Sequence, residues 1–228
     1  MCQLHLGDAL HAGNTFIRLS FTILILLLVE SARAEPMTFL ITDPQGRPLE
    51  NAVLMGPPAQ VQAPQSVAIM DQIHKTFVPH VLVIRQGQKV QFPNSDNIRH
   101  HVYSFSPAKT FEIQLYAGVP KAPLTFGKPG IVVLGCNIHD SMLGYIVVAD
   151  SPIAGKAGAD GKITLDIPAG MTRLRLWHPL LKDVMKPLDV GIPLADATGI
   201  RHFTLTITQP PPRDADATFG NIFKRYGR

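Results

Sequence analysis

Residues 130–148 have the sequence GIVVLGCNIHDSMLGYIVV, in which two apolar runs flank a short segment of mixed polarity. Runs of this length, rich in valine, isoleucine and leucine, are typical of strands, so the segment between them is predicted to be a loop. That segment spaces Cys136, His139 and Met142 in a C-x-x-H-x-x-M pattern. A thiolate, an imidazole and a thioether suit a mononuclear copper ion, with a second imidazole in the plane and methionine as a weak axial ligand. The pattern therefore predicts a copper-binding loop that two strands hold rigid.

The second imidazole has a source in His100 and His101, which open another strand-like segment, residues 100–105. Adjacent side chains on a strand point to opposite faces of the sheet, so normally only one of the pair can reach the metal. Alternation alone leaves both histidines as candidates for the upstream ligand.

Cysteine usage supports a ligand role. The chain contains two cysteines, and Cys2 lies in a predicted export signal, so the mature protein would keep Cys136 alone and form no internal disulfide. A lone thiol in an oxidising compartment is reactive unless something occupies it, and metal ligation deprotonates and shields it. A buried, inert cysteine is the alternative. The offsets to His139 and Met142 favour the ligand.

Two other chemistries use the same residue types. Zinc sites favour several cysteine, histidine or carboxylate ligands and seldom recruit methionine, so zinc leaves Met142 unexplained. A Cys136 nucleophile activated by His139 would need a third, orienting group, and none is identifiable in the sequence. Copper accounts for the whole pattern and is the expected cofactor, as one ion.

The first 34 residues predict export. Arg18 precedes an apolar run over residues 21–29 that is too short to span a bilayer comfortably, and residues 32–34, Ala-Arg-Ala, fit a small-x-small cleavage pattern. We expect residues 1–34 to be a signal peptide, the mature protein to be periplasmic or secreted, and no stable membrane insertion after cleavage. An uncleaved membrane anchor is the alternative.

The rest of the chain predicts an all-β protein. Helical patterns are nearly absent, and short β-branched runs alternate with turns such as DPQG at 43–46 and ADGK at 159–162. Residues 210–228 begin with three prolines and are polar, so we expect a disordered tail. The formal net charge of +4 comes without a block of lysine or arginine, which argues against nucleic-acid binding.

The block over residues 66–150 resembles the cupredoxin family of blue copper proteins. The resemblance rests on FVP at 77–79, FPN at 92–94, HHV at 100–102 and the loop from Cys136 to Met142, whose short length is that of amicyanin. It implies a Greek-key β-sandwich or barrel with one type 1 copper. The implied ligands are His100, Cys136, His139 and Met142. It also makes His100 the preferred upstream ligand over His101.

Further positions bear on the surroundings of the predicted site. Asn94 is a candidate to tie the two ligand loops together by hydrogen bonds, with an ordinary turn residue as the alternative. The apolar neighbours Ile138, Met142 and Leu143 are expected to limit water access to the metal. Asp140 stands where amicyanin has a proline, so no redox potential is carried over from that protein.

The flanking segments have a second resemblance. Residues 38–54, with Asp43, Gly46, Pro48 and Leu49, look like the opening hairpin of a small transthyretin-like, immunoglobulin-like or carboxypeptidase-regulatory-like β-sandwich, and residues 160–177 look like its second half. We therefore expect a discontinuous domain over residues 35–60 and 153–209, with the copper module at 66–150 inserted in it. Each part alone would leave unpaired strand edges, which favours their pairing with each other. The alternative is that residues 37–56 form an N-terminal strand pair of the copper domain, because sequential strands usually neighbour each other.

Together these observations predict an exported single-electron carrier that is not an enzyme and exchanges electrons with redox partner proteins. The sequence leaves the partners' identity and the oligomeric state open. Two alternatives remain: a copper-binding or sensing module without electron transfer, and an extracellular interaction protein with a vestigial copper module. Four intact candidate ligands count against the last of these.

Overall fold

The computed structural model describes residues 33–208, so most of the predicted signal and the predicted tail lie outside the described residues. Seventeen strands account for all the regular structure in this range, and the predicted all-β class is confirmed there. No helix long and apolar enough to cross a membrane occurs among the described residues.

A five-stranded sheet forms the centre of the molecule. Its strands, in spatial order, are β6 (Val81–Arg85), β12 (His139–Ala149), β11 (Gly130–Cys136), β8 (His100–Ser106) and β9 (Lys109–Tyr116). Strand β6 runs parallel to β12, whereas the other neighbours are antiparallel. The two strands predicted from the apolar runs, β11 and β12, therefore lie in the middle of the sheet.

Shorter strands complete the block over residues 66–150. A three-stranded sheet has the order β10 (Leu124–Thr125), β7 (Lys89–Gln91) and β3 (Ala68–Ile69), and a separate hairpin pairs β4 (Asp71–Ile73) with β5 (Thr76–Val78). Side chains from these strands and from one face of the large sheet form a single apolar cluster. It includes Met70, Phe77, Val90, Phe92, Val132, Leu134 and Ile146.

The remaining strands form two further sheets. One has the order β14 (Lys162–Pro168), β1 (Ala34–Thr42) and β17 (Ile200–Thr204), and the other has β13 (Ala154–Lys156), β2 (Val53–Met55), β15 (Arg173–Trp177) and β16 (Leu188–Gly191). Strands β1 and β2 thus pair with strands that follow residue 150. A discontinuous sandwich requires this pairing, while the proposed domain limits and the transthyretin-like resemblance stay predictions.

The opposite face of the five-stranded sheet packs against this second pair of sheets. Residues of both form one continuous apolar cluster, which includes Phe39, Leu54, Ile163, Trp177, Val81, Ile131, Val133 and Val147. Tyr145 on β12 meets Trp177 on β15 edge to face, with ring centroids 5.6 Å apart. The two halves of the molecule therefore share a core, and both faces of the ligand-bearing sheet are covered.

His178, which follows Trp177 at the end of β15, is buried. Its Nε2 lies 3.1 Å from the Glu50 carbonyl oxygen, and its Nδ1 accepts a hydrogen bond from the Leu180 amide at 3.1 Å. Protonation of Nδ1 would break the second bond. Burial is the main cause that lowers the pKa of His178 below its ordinary value, opposed by the bond to Glu50.

This geometry predicts a pH-dependent stability. Because the folded pKa of His178 lies below the unfolded value of about 6.5, its contribution is complete above pH 6.5 and is lost as the pH falls toward the folded pKa. The loss should approach about 1.4 kcal/mol per pH unit in that window. The free energy of unfolding, measured with urea at pH 7.5, 6.5 and 5.5, should change less with pH in His178→Gln than in wild type. The control Leu194→Ala, at a side chain that is 92% exposed and does not titrate, should keep the wild-type pH dependence, and equal pH dependence in all three proteins would contradict the prediction.

Candidate metal centre

The C-x-x-H segment forms the tight connection between β11 and β12. Cys136 and His139 are backbone partners across this connection, whereas Gly135 pairs with Leu143. The register shift leaves residues 140–142 of β12 without partners on β11, as in a β-bulge, which bends a strand and re-aims its side chains. The tight connection thus brings the side chains of Cys136 and His139 together, with Cys136 Sγ 3.8 Å from His139 Nδ1.

His100, at the start of β8, reaches the same point from a neighbouring strand. Its Nδ1 lies 3.8 Å from the Cys136 Sγ, and the His139 Nδ1 also lies 3.8 Å from that sulfur. The three ligand atoms all lie within 4.8 Å of one another. A metal with bonds of about 2.3 Å to sulfur and 2.0–2.1 Å to nitrogen, at trigonal angles, would hold the two atoms roughly 3.8 Å apart. The donor set therefore fits one metal ion with little movement.

Burial differs among the predicted ligands. Cys136, His100 and Met142 are buried, whereas His139 is half-buried. Met142 belongs to the same apolar cluster as Cys136, on the bulged part of β12. Of the three residues that come together, His100 and Cys136 are thus buried, and His139 is the one with partial access to solvent.

The two histidines predicted as alternatives have separate surroundings. His101 faces away from Cys136, with its Nε2 2.8 Å from Glu112 Oε1, and its buried Nδ1 has no hydrogen-bond partner. Only His100 joins the group with Cys136 and His139. The alternation of side chains along β8 accounts for this separation.

The surroundings of the half-buried His139 imidazole favour its neutral form. Burial is the largest cause that lowers the pKa of His139, and the neighbouring His100 and Lys75 lower it further, against a smaller opposing effect of Asp96. A histidine must be neutral to bind a metal, so this environment favours ligation at neutral pH.

Two expectations about the surroundings are wrong. The Ile138 side chain is 52% exposed and does not shield the site. Asn94 does not link the two ligand loops, because its side chain donates to the carbonyl oxygens of Ile98 and Tyr116 and accepts from the Asp96 amide. Asn94 therefore shapes the loop before β8 as a turn residue, the alternative stated above.

A residue that sequence reasoning missed holds the buried imidazole. Asp96 Oδ2 lies 2.7 Å from His100 Nε2, the ring nitrogen that faces away from Cys136. Burial raises the pKa of Asp96, but hydrogen bonds from the Lys75 amide, His100 and the His74 amide outweigh it and hold the pKa below its ordinary value. The carboxylate therefore stays ionised next to the ligand.

None of the other histidines within residues 33–208 joins this group. His80 packs edge to face against Tyr145, with ring centroids 5.4 Å apart. His74 is exposed at the turn between β4 and β5, and His202 bonds Asp196 in a surface loop. Among the described residues, His100, Cys136 and His139 form the one group of three or more His, Cys, Asp or Glu with metal-binding spacing.

Comparison with known proteins gave partial structural matches. No protein-family model and no curated protein matches the chain. The chain is similar to a copper-containing nitrite reductase from Thermus scotoductus SA-01, at 28% identity over 40% of this chain, with a TM-score of 0.35; it spans 25% of that protein's length. It is also similar to a purple cupredoxin from Nitrosopumilus maritimus, at 19% identity over 37% of this chain and 100% of that one, with a TM-score of 0.32. An oxidized amicyanin variant matches at 18% identity over 43% of this chain and 99% of that one, with a TM-score of 0.33.

Proposed function

We propose that this protein is an exported single-electron carrier of the cupredoxin type, with one type 1 copper held by four side chains. These are His100, Cys136, His139 and Met142. The observation that supports it most is the convergence of one sulfur and two imidazole nitrogens within 4.8 Å, with both sulfur–nitrogen distances at 3.8 Å.

A carrier needs a site that changes little between its oxidised and reduced forms. Cys136 and His139 are fixed by backbone pairing across one tight connection, and His100 is fixed by β8 and by Asp96. Copper bound to a thiolate, two imidazoles and a weak thioether would cycle between Cu(I) and Cu(II). The burial of Cys136 and Met142 would exclude water and keep the same donors in both states.

The donor set argues against substrate turnover. Catalytic metal sites keep an open position for water or substrate, whereas here the protein offers four donors, three of them on buried residues. The half-buried His139 is the point where an electron would enter or leave. The adjacent exposed Ile138 would give a partner redox protein an apolar contact there. Export to the periplasm or beyond is part of the proposal, supported by the composition of residues 1–34.

Copper titration of the metal-free protein tests the proposal. One equivalent of Cu(II) should produce an intense thiolate-to-copper band in the visible range, and ascorbate should bleach it reversibly. A colourless 1:1 complex would contradict a type 1 site. Electron self-exchange, measured by NMR line broadening in mixtures of the two redox states, should be fast. A coloured protein with slow exchange would indicate copper binding without electron transfer.

A further inference from the structure

One carboxylate connects the buried imidazole to a separate hairpin. Asp96 bonds His100 Nε2 through Oδ2 at 2.7 Å, and the same oxygen accepts the Lys75 amide at 2.9 Å. Its Oδ1 accepts the His74 amide at 2.7 Å. Both oxygens are therefore engaged, and the carboxylate cannot rotate without losing a backbone hydrogen bond.

The two amides come from a turn with an unusual conformation. His74 and Lys75 connect β4 to β5, and both have positive φ angles, of 52° and 58°. Residues other than glycine rarely adopt this conformation, because their Cβ atom disfavours it. Successive amides in a turn form a concavity that binds an anion, and here the Asp96 carboxylate occupies it. The turn is thus built around Asp96.

The hairpin is itself fixed to the ligand-bearing strand. Phe77 on β5 is buried, and it packs so closely on Gly144 of β12 that a Cβ at that glycine would lie 2.7 Å from the Phe77 Cβ. Gly144 lies two residues after Met142. A continuous chain of contacts therefore runs from His100 through Asp96 and the hairpin back to the strand that carries His139 and Met142.

We propose that Asp96 is a positioning residue for His100, an inference that rests on the proposed copper site. By accepting the Nε2 hydrogen, Asp96 fixes the tautomer in which the Nδ1 lone pair is directed toward Cys136, and it holds the plane of the ring. Carboxylate partners of metal-bound histidines act in this way and make the imidazole a better donor. The hairpin turn in turn fixes Asp96.

Asp71 provides a matched control. Its carboxylate also joins the hairpin to the loop before β8, through the Ser95 hydroxyl at 2.8 Å and the Ser95 amide at 3.3 Å. It makes no contact with His100. If Asp96 merely fastened the hairpin, removal of Asp71 would have the same consequences as removal of Asp96.

The first measurement needs no metal. In the metal-free protein at pH 7.5, ¹⁵N shifts of histidine-labelled samples should show His100 with its hydrogen on Nε2 in wild type and in Asp71→Ala. Asp96→Ala should give a mixture of tautomers. Asp96→Asn, which keeps one acceptor oxygen and most of the shape, should lie between these results and covers the case in which the alanine variant fails to fold.

The second measurement is Cu(I) affinity by competition with a chromophoric chelator. Asp96→Ala should bind about 10–100-fold more weakly than wild type, and Asp71→Ala should stay within a few-fold. Unchanged tautomer and affinity in Asp96→Ala, or equal losses in Asp96→Ala and Asp71→Ala, would overturn the proposal. A wild type that binds copper without the visible band would contradict the blue-copper function, whereas the tautomer measurement would still decide the role of Asp96.

Discussion

Replacing Cys136 with serine is expected to abolish the visible band and to weaken copper binding by more than about 100-fold. Loss of an outer-shell partner of a metal ligand already costs about 10–100-fold, and here the ligand itself is removed. The thiolate also gives the copper bond its covalent character. The hydroxyl of serine, in contrast, is a hard, protonated ligand at neutral pH. Absorption spectra and chelator competition on the two proteins measure both effects.

The adjacent histidines provide the control for this experiment. His101→Gln should keep the band and the affinity, because His101 bonds Glu112 and lies outside the Cys136 group. His100→Gln should lose the band as Cys136→Ser does, since its Nδ1 is the nitrogen that lies 3.8 Å from Sγ. A retained band in Cys136→Ser, or a loss confined to His101→Gln, would contradict the proposed ligand set.

The grouping of Cys136 with His139 was predictable, because the chemistry of the three side chains in the loop pattern is so restrictive. The all-β class followed from β-branched runs and frequent turns. The role of Asp96 was not predictable, because an aspartate in a turn four residues before a strand is common and its usual role is a local hydrogen bond. Its partner, the turn at His74 and Lys75, also lacks the glycine or asparagine that normally marks a two-residue hairpin.

The apolar runs of β11 and β12 also indicate how the sheet is covered. The runs that became β11 and β12 are continuously apolar rather than alternating, and β11 is buried at six consecutive positions, 131–136. Continuous apolar strands indicate a sheet that is covered on both faces. The sequence pattern therefore indicates a sheet covered on both faces. Which segments cover it depends on long-range strand pairing, which no local pattern records.

The shared core leads to the second large effect, which is expected for Trp177→Ala. Trp177 is fully buried, donates its indole N–H to the Val184 carbonyl oxygen at 2.7 Å, and packs against Tyr145. Truncation of such a side chain costs about 3–5 kcal/mol in the free energy of unfolding. Urea unfolding followed by far-UV circular dichroism measures this loss. The control Leu194→Ala, at a side chain that is 92% exposed, should change the free energy by less than about 0.5 kcal/mol.

The same variant tests whether the two halves unfold together. Cys136 is buried in the other apolar cluster. In metal-free protein with Cys2 replaced by serine, the reactivity of the Cys136 thiol therefore reports on the opening of the block over residues 66–150 alone. Because Tyr145 and Trp177 join the two halves through one core, Trp177→Ala should lower the free energy of Cys136 exposure by as much as it lowers the stability measured by circular dichroism. If the thiol kept its wild-type protection while the dichroism showed a partial loss, the ligand-bearing sheet would be stable without its cover. The second sandwich would then be an attached unit rather than a structural support for the metal centre.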